Sequence, residues 1–238
     1  MLNKLSALAA VTLAVGSLAA SETQATQFAN YVPVAGGTPN ISLSGLALTA
    51  NAPVVFDYTF PGTLAGLGNL SANLSLTATE TAAAAFGPIA LATFDGSFAI
   101  TYSGPNQTIG AITLTTGEIL LDGSFLGSVF TGYGSTGTLQ DSLLGGGFVN
   151  FNNNSLISFT PPGGDEGFTV GVTDLTPPVR VVNGQLTDFT GVSDGNFAAD
   201  NVITTGGGTP EPATWAMMLI GVGGIGFVAR RRAKAALA

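Results

Sequence analysis

The side chains that could carry out catalysis in this chain are almost all carboxylates. Histidine and cysteine are both absent from its 238 residues. Their absence removes the Ser-His-Asp triad, thiol chemistry and the usual zinc ligands. Paired carboxylates remain, because glycoside hydrolysis needs two Asp or Glu residues facing one cleft. We therefore expect either carboxylate chemistry or a protein without enzymatic activity.

Glu118 and Asp122 are the candidate carboxylate pair. Four residues apart on a predicted strand, they would share one face at about 13 Å, given a rise of roughly 3.3 Å per residue. That distance exceeds the roughly 5 to 9.5 Å between the carboxyl groups of glycosidases, so only a β-bulge would bring them together. A carboxylate glycoside hydrolase is therefore the second alternative function. The preferred prediction is no enzymatic activity, with no catalytic residue, cofactor or metal site.

Almost all charged residues in the region between the two chain ends are acidic. Removing Glu22 and Glu211 from the fourteen acidic residues leaves twelve, and Arg180 is the one basic residue between Thr26 and Gly208. That region carries a net charge of about −11. Such a surface repels nucleic acid, and it repels anionic lipid and polysaccharide unless a divalent cation bridges them. The sequence therefore predicts no nucleic-acid partner.

Short segments of alternating apolar and small polar residues fill this region. Their period of two is typical of β-strands, and Gly- and Pro-rich turns separate them. A run of alanines, Ala82 to Ala85, is the only candidate for a helical turn. We predict an all-β domain with an antiparallel β-sandwich, jelly-roll-like fold. The predicted strands are 41–48, 54–60, 70–79, 94–102, 111–116, 118–130, 156–160, 167–173, 178–189 and 196–203.

A five-residue pattern around Asp-Gly occurs at Phe94 to Phe98 and Leu121 to Phe125, with a fainter copy at Ser193 to Phe197. A calcium loop needs several oxygen ligands close together, whereas each copy offers one carboxylate. The preferred interpretation is a bulge or turn at Asp-Gly, with the flanking apolar residues packed inward. Asp165-Glu166 is expected at an exposed loop tip, with calcium binding as the alternative.

Aromatic residues offer a possible sugar-stacking platform. No two of the four tyrosines are adjacent, and tyrosine is common in strands, so we expect them in the core or on sheet faces. A calcium-dependent carbohydrate-binding module of the envelope or biofilm is the first alternative function. The tyrosines are Tyr31, Tyr58, Tyr102 and Tyr133. Five Asn-x-Ser/Thr triplets are interpreted as fortuitous, at Asn40, Asn69, Asn73, Asn106 and Asn153.

Residues 1–25 have the features of a secretory signal peptide. Lys4 supplies the positive charge, and an apolar run follows at residues 5–20. We expect cleavage after Ala25, with cleavage after Ala19 as the alternative. An N-terminal membrane anchor is disfavoured, because the apolar run is shorter than the roughly 20 residues of a membrane span.

The C-terminal segment combines a short motif, an apolar stretch and a basic cluster. Glu211 lies between Pro210 and Pro212, which hold the backbone extended. The uncharged residues that follow predict a single transmembrane helix at about 213–229. The positive-inside rule then places the domain outside the cytoplasm. The basic cluster comprises Arg230, Arg231, Arg232 and Lys234.

The order of Pro-Glu-Pro, Trp215-Ala216, an apolar helix and an arginine cluster resembles the PEP-CTERM sorting signal in its PEPxxWA form. The resemblance is confined to residues 209–238. It implies a Gram-negative exported protein handed to an exosortase, a membrane-embedded cysteine transpeptidase that recognises Pro-Glu-Pro and removes the tail. Such systems accompany exopolysaccharide production, which makes exopolysaccharide a candidate partner. The implied sorting residues are Pro210, Glu211, Pro212, Trp215, Ala216, Arg230, Arg231 and Arg232.

These predictions divide the chain into four parts. They are a signal peptide at 1–25, a β domain at 26–203, a Gly/Thr linker at 204–209 and a sorting signal at 210–238, with its motif at 210–218 and basic tail at 230–234. We predict an exported, non-enzymatic protein of the cell surface or extracellular matrix. Its precursor is expected to be anchored in the inner membrane with the domain in the periplasm.

Overall fold

The structure, a computed structural model, describes residues 25–34, 38–59, 64–141, 147–159, 166–200 and 202–204. The predicted sorting signal and all but the last residue of the predicted signal peptide lie outside the described residues. Within these ranges, no helix combines the length and the hydropathy that a membrane span requires.

The described residues form sixteen strands and one short 3-10 helix, Leu64–Leu67. The strands are β1 Thr26–Pro33, β2 Ile41–Ser44, β3 Ala47–Tyr58, β4 Leu70–Phe86, β5 Ile89–Tyr102, β6 Gln107–Ile109, β7 Ile112–Leu114, β8 Ile119–Tyr133, β9 Thr136–Gln140, β10 Phe148–Phe151, β11 Ile157–Phe159, β12 Glu166–Thr176, β13 Val181–Val182, β14 Gln185–Leu186, β15 Phe189–Ala199 and β16 Val202–Thr204.

Eight strands form one closed, barrel-like antiparallel sheet. Around the ring, neighbours follow chain order: β1, β3, β4, β5, β8, β9, β12 and β15, and β15 pairs again with β1. The predicted all-β, antiparallel character is confirmed. The β-sandwich, jelly-roll-like arrangement is corrected to a single up-and-down sheet. Because β1 pairs with β3 on one side and β15 on the other, the edges that a sandwich leaves unpaired are joined here.

Two positions in the ring are each occupied by two strands placed end to end. β1 and β2 both lie between β3 and β15. β9 and β10 both pair with β8, along different parts of its length. At each interruption, backbone N–H and C=O groups of the neighbouring strand have no partner strand beside them. Side chains or other backbone groups must form hydrogen bonds with them instead.

The strands form because alternate residues can be buried inside the ring. In β4, buried and exposed residues alternate from Leu70 to Glu80. The alanines predicted as a helical turn continue this strand, with Ala83 opposite Ala92. This candidate for a helical turn is therefore a strand, because the ladder with β5 outweighs the helix propensity of alanine. Gly87, at φ 60°, forms the hairpin turn with Pro88.

Phenylalanine rings fill much of the interior. In the larger ring cluster, contacting centroids are 4.9 to 6.2 Å apart. Such aromatic pairs add about 0.5 to 1.5 kcal/mol each beyond the burial of apolar area. The cluster comprises Phe28, Phe98, Phe125, Phe151, Phe159, Phe168 and Phe197. A second cluster comprises Phe94, Phe130 and Phe189.

The ring has two distinct ends. The terminal end carries the start of β1 and the end of β15, where Thr26 lies opposite Ala199. The hairpin end carries the tight β4–β5 and β8–β9 turns, where Ile89 lies opposite Tyr133. Both the entry of the chain into the sheet and its exit toward β16 are therefore at the terminal end.

Candidate functional site

The predicted carboxylate pair is split between two structural roles. Glu118 precedes β8, and its carboxylate accepts hydrogen bonds from the backbone N–H of Thr115 at 3.0 Å and from Ser155 Oγ at 2.7 Å. Asp122 accepts a hydrogen bond from Asn152 Nδ2 at 2.6 Å. A bulge lies between them, since Leu120 and Leu121 are both buried. It places Ile119, rather than Glu118, on the exposed face next to Asp122.

Asp122 borders a shallow polar groove of about 300 Å³ on the outside of the sheet. Hydroxyls from three neighbouring strands line it, including those of Ser75, Ser97 and Ser124. Because the groove contains a single carboxylate, it lacks the second one that glycoside hydrolysis requires.

The Asp-Gly copies are packing and bulge elements. Asp95 accepts a hydrogen bond from the backbone N–H of Gly127 at 2.7 Å, beside a bulge between β5 and β8. A Cβ on Gly96 would lie 2.5 Å from Ala78 Cβ, so a neighbouring strand uses the space that a side chain would fill. Phe98 stacks on Phe197 at 5.2 Å, which brings the last residues of two copies together in the core. The inward packing of the flanking apolar residues is confirmed in each copy, and a bulge lies beside Asp95. At Asp194-Gly195 the strand β15 pairs with β12 without a register shift, so the predicted bulge or turn is wrong for that copy.

Three partly or fully buried carboxyl groups accept hydrogen bonds from backbone N–H groups. Glu80 bonds Leu186, Glu166 bonds Phe151 at 2.7 Å, and Asp141 bonds Phe168. Burial raises the pKa of each of these carboxyls, partly offset by the hydrogen bond. Glu166 is therefore not at an exposed loop tip as predicted, and Asp165 lies outside the described residues. Within the described ranges, no group of three or more His, Cys, Asp or Glu residues is arranged to hold a metal ion.

The four tyrosines divide into three buried residues and one exposed residue. Tyr31 donates to Ser193 Oγ at 3.3 Å, Tyr58 to the Leu120 carbonyl at 2.6 Å and Tyr102 to the Pro105 carbonyl at 2.8 Å. The core placement predicted for tyrosine is confirmed for these three. Tyr133 is 63% exposed at the end of β8, so it is the one tyrosine that a ligand can reach.

Tyr133 borders a second depression, of about 310 Å³, at the hairpin end. The turns that follow β4 and β8 form it, and its lining is Pro88, Ile89, Thr131, Gly132, Tyr133, Thr136, Gly137 and Thr138. This depression, called here the Tyr133 site, combines apolar surface with hydroxyl groups. Sequence reasoning considered the tyrosine but could not place it beside these residues.

The predicted sorting residues lie outside the described ranges, so sequence comparison carries this part of the chain. Residues 209–232 match the PEP-CTERM protein-sorting motif. The PEP-CTERM match spans every predicted sorting residue from Pro210 to Arg232, and it indicates an exported protein that an exosortase sorts. Comparison with curated proteins and with solved structures gives no match. The PEP-CTERM match includes no residue of the closed sheet.

Proposed function

We propose that this chain is a non-enzymatic protein of the cell surface or extracellular matrix, exported through an N-terminal signal peptide and processed at its C-terminus by an exosortase. The observation that carries the proposal is the PEP-CTERM match at residues 209–232. In the precursor, the apolar residues 213–229 span the inner membrane, and Arg230 to Arg232 stay in the cytoplasm. The closed sheet then lies in the periplasm until the tail is removed.

The position of the two chain ends supports this arrangement. β1 begins at Thr26, directly after the predicted cleavage site at Ala25, so the processed chain needs no further residues to complete its first strand. β16 ends at Thr204, and the extended chain from there to Pro210 spans at most about 20 Å. Both segments that contact the membrane during export therefore leave from the terminal end, and that end faces the membrane in the precursor.

The non-enzymatic part of the proposal rests on the carboxylates. Glu118 and Asp122, the predicted candidate pair, each hold a neighbouring segment through hydrogen bonds. Glycoside hydrolysis needs a second carboxylate facing the same cleft, and the groove beside Asp122 has none.

Substitution of the motif glutamate tests the sorting proposal. In the native host, Glu211→Gln removes the charge of the Pro-Glu-Pro element and changes little else. We expect the variant to remain as an unprocessed precursor in the inner-membrane fraction, detected by immunoblotting with an antibody against the domain. Thr214→Ser, in the spacer of the same motif, is the matched control and should be processed normally.

An exosortase deletion in the same host provides the second arm. Wild-type protein in that strain should accumulate in the same fraction as Glu211→Gln. Normal release of Glu211→Gln in the parent strain, together with normal release of wild type in the deletion strain, would contradict exosortase sorting.

A further inference from the structure

The Tyr133 site presents an exposed aromatic face supported by apolar neighbours. Tyr133 lies directly opposite Ile89 in the β5–β8 ladder, and Ile89 is itself 40% exposed. Pro88, which precedes Ile89 in the β4–β5 hairpin turn, lines the same depression. Single exposed apolar residues are common on proteins, but here they border one depression of about 310 Å³. The site thus has both a flat apolar platform and a volume in which a ligand ring can sit.

Four side-chain hydroxyls line the site, and one of them, Thr136 Oγ1, donates a hydrogen bond to the Tyr133 carbonyl at 3.2 Å. The other three make no hydrogen bond to another group of the described residues. Three other pairs of facing hydroxyls on the sheet and its hairpins bond each other: Thr81 with Thr93, Thr108 with Thr113 and Ser42 with Thr49. Thr131 and Thr138 also lie directly opposite each other, yet within the described residues neither hydroxyl has a hydrogen-bond partner.

The Tyr133 hydroxyl differs from the other tyrosine hydroxyls in the same way. Each buried tyrosine donates a hydrogen bond to a protein oxygen. Tyr133 has no such side-chain partner among the described residues. Three hydroxyls next to one aromatic ring are therefore available to an external ligand.

Charge narrows the class of ligand. The region from Thr26 to Gly208 carries a net charge of about −11, yet none of the eight residues lining the Tyr133 site is charged. An anionic ligand would be repelled by the surrounding domain, and a cationic ligand would find no carboxylate in the site. A neutral ligand fits the site if it has an apolar ring face, which can stack on the Tyr133 ring, and peripheral hydroxyls, which can bond to Thr131 and Thr138.

We propose that the Tyr133 site binds a hexose unit of a neutral polysaccharide, with the sugar C–H face on the Tyr133 ring and its hydroxyls bonded to Thr131 and Thr138. Binding requires no calcium, because no carboxylate lines the site. The site lies at the hairpin end, opposite the terminal end from which both chain termini leave. If the proposed sorting is correct, it faces away from the membrane in the precursor, where a glycan can reach it.

Affinity electrophoresis in native gels tests the inference, with protein purified from its native host. The gels contain laminarin, hydroxyethyl cellulose or dextran as neutral polymers, or alginate as the anionic polymer, all with a calcium chelator. We expect retardation in at least one neutral gel and none in alginate. Tyr133→Ala should raise the dissociation constant about tenfold or more, since it removes the stacking face.

Matched variants separate stacking from general effects on the surface. Tyr133→Phe keeps the ring and should retain most of the binding, whereas the double variant Thr131→Val and Thr138→Val should weaken it. Ser97→Ala, in the polar groove beside Asp122, should bind like wild type. The inference is overturned if no neutral polymer retards the protein or if Tyr133→Ala binds like wild type. Concentration-dependent dimerisation lost only in Tyr133→Ala would assign the surface to a second copy of the chain and overturn it as well.

Discussion

Asn40 substitutes for a missing strand where β1 stops and β2 has not begun. At that interruption Ser193 in β15 has Val172 of β12 opposite it on one side, but no strand residue opposite it on the side of β1 and β2. The Ser193 N–H donates to Asn40 Oδ1 at 2.6 Å, and Asn40 Nδ2 donates to the Ser193 carbonyl at 3.2 Å. Asn40 is 8% exposed and Ser193 is 1% exposed, so water does not readily replace these bonds. Asn40→Ala therefore removes two buried hydrogen bonds at once.

The size of the effect follows from the two groups left without partners. A buried donor or acceptor without a partner costs about 1 to 3 kcal/mol. For the N–H and C=O of Ser193 together we expect Asn40→Ala to lower the free energy of unfolding by about 3 kcal/mol, allowing for some local relaxation. In a domain of roughly 180 residues that corresponds to a fall in Tm of about 6 to 12 °C.

Urea and thermal unfolding followed by circular dichroism of the strand signal measure this change. Asn51→Ala is the matched control, because Asn51 lies on β3, is exposed and has no side-chain hydrogen bond within the described residues. Its free energy of unfolding should change by less than about 0.5 kcal/mol. If Asn40→Ala and Asn51→Ala are equally stable, the Asn40 side chain does not replace the ladder and the reasoning is refuted.

Two further predictions concern other buried polar groups. Burial raises the folded-state pKa of Glu80, Asp141 and Glu166, so the stability that their protonated forms provide is present below the unfolded pKa and is lost as pH rises through the folded pKa. The urea midpoint of unfolding should therefore decrease as the pH rises from mildly acidic to neutral. Glu80→Gln, which keeps an acceptor for the Leu186 N–H, should make that decrease smaller. A variant with the same pH profile as wild type would contradict the assignment. Tyr58→Phe removes the 2.6 Å bond to the Leu120 carbonyl and should lower the free energy of unfolding by about 1 to 2 kcal/mol, whereas Tyr133→Phe should leave it unchanged within error in the same urea titration.

The strands were predictable where burial alternates cleanly, and the closure of the sheet was not. β4 alternates over eleven residues and its core was predicted. β1, which closes the ring, was not predicted as a strand, because Phe28 and Ala29 are both buried at a bulge and break the period of two. The local pattern of apolar and polar residues does not show that β1 pairs with both β3 and β15. Without β1 the sheet has no closing strand, and a β-sandwich was predicted for that reason.

The chemistry of single residues was predictable only where their role is local. The inward packing of the residues that flank Asp-Gly follows from the local period of two, and Phe94 and Phe98 are both buried. By contrast, the four tyrosines look alike in the sequence. Tyr31 and Tyr58 find their partners 162 and 62 residues away, and Tyr133 is left exposed by the pairing of β8 with β5. Asn40, which belongs to one of the Asn-x-Ser/Thr triplets, likewise takes its role from Ser193, 153 residues away.

Intact-mass spectrometry of the protein released by its native host tests the central claim most directly. The account predicts a chain that begins at Thr26 and lacks Arg230 to Arg232, because both terminal segments are removed on the way to the cell surface. A released protein whose mass includes the arginine cluster would contradict it.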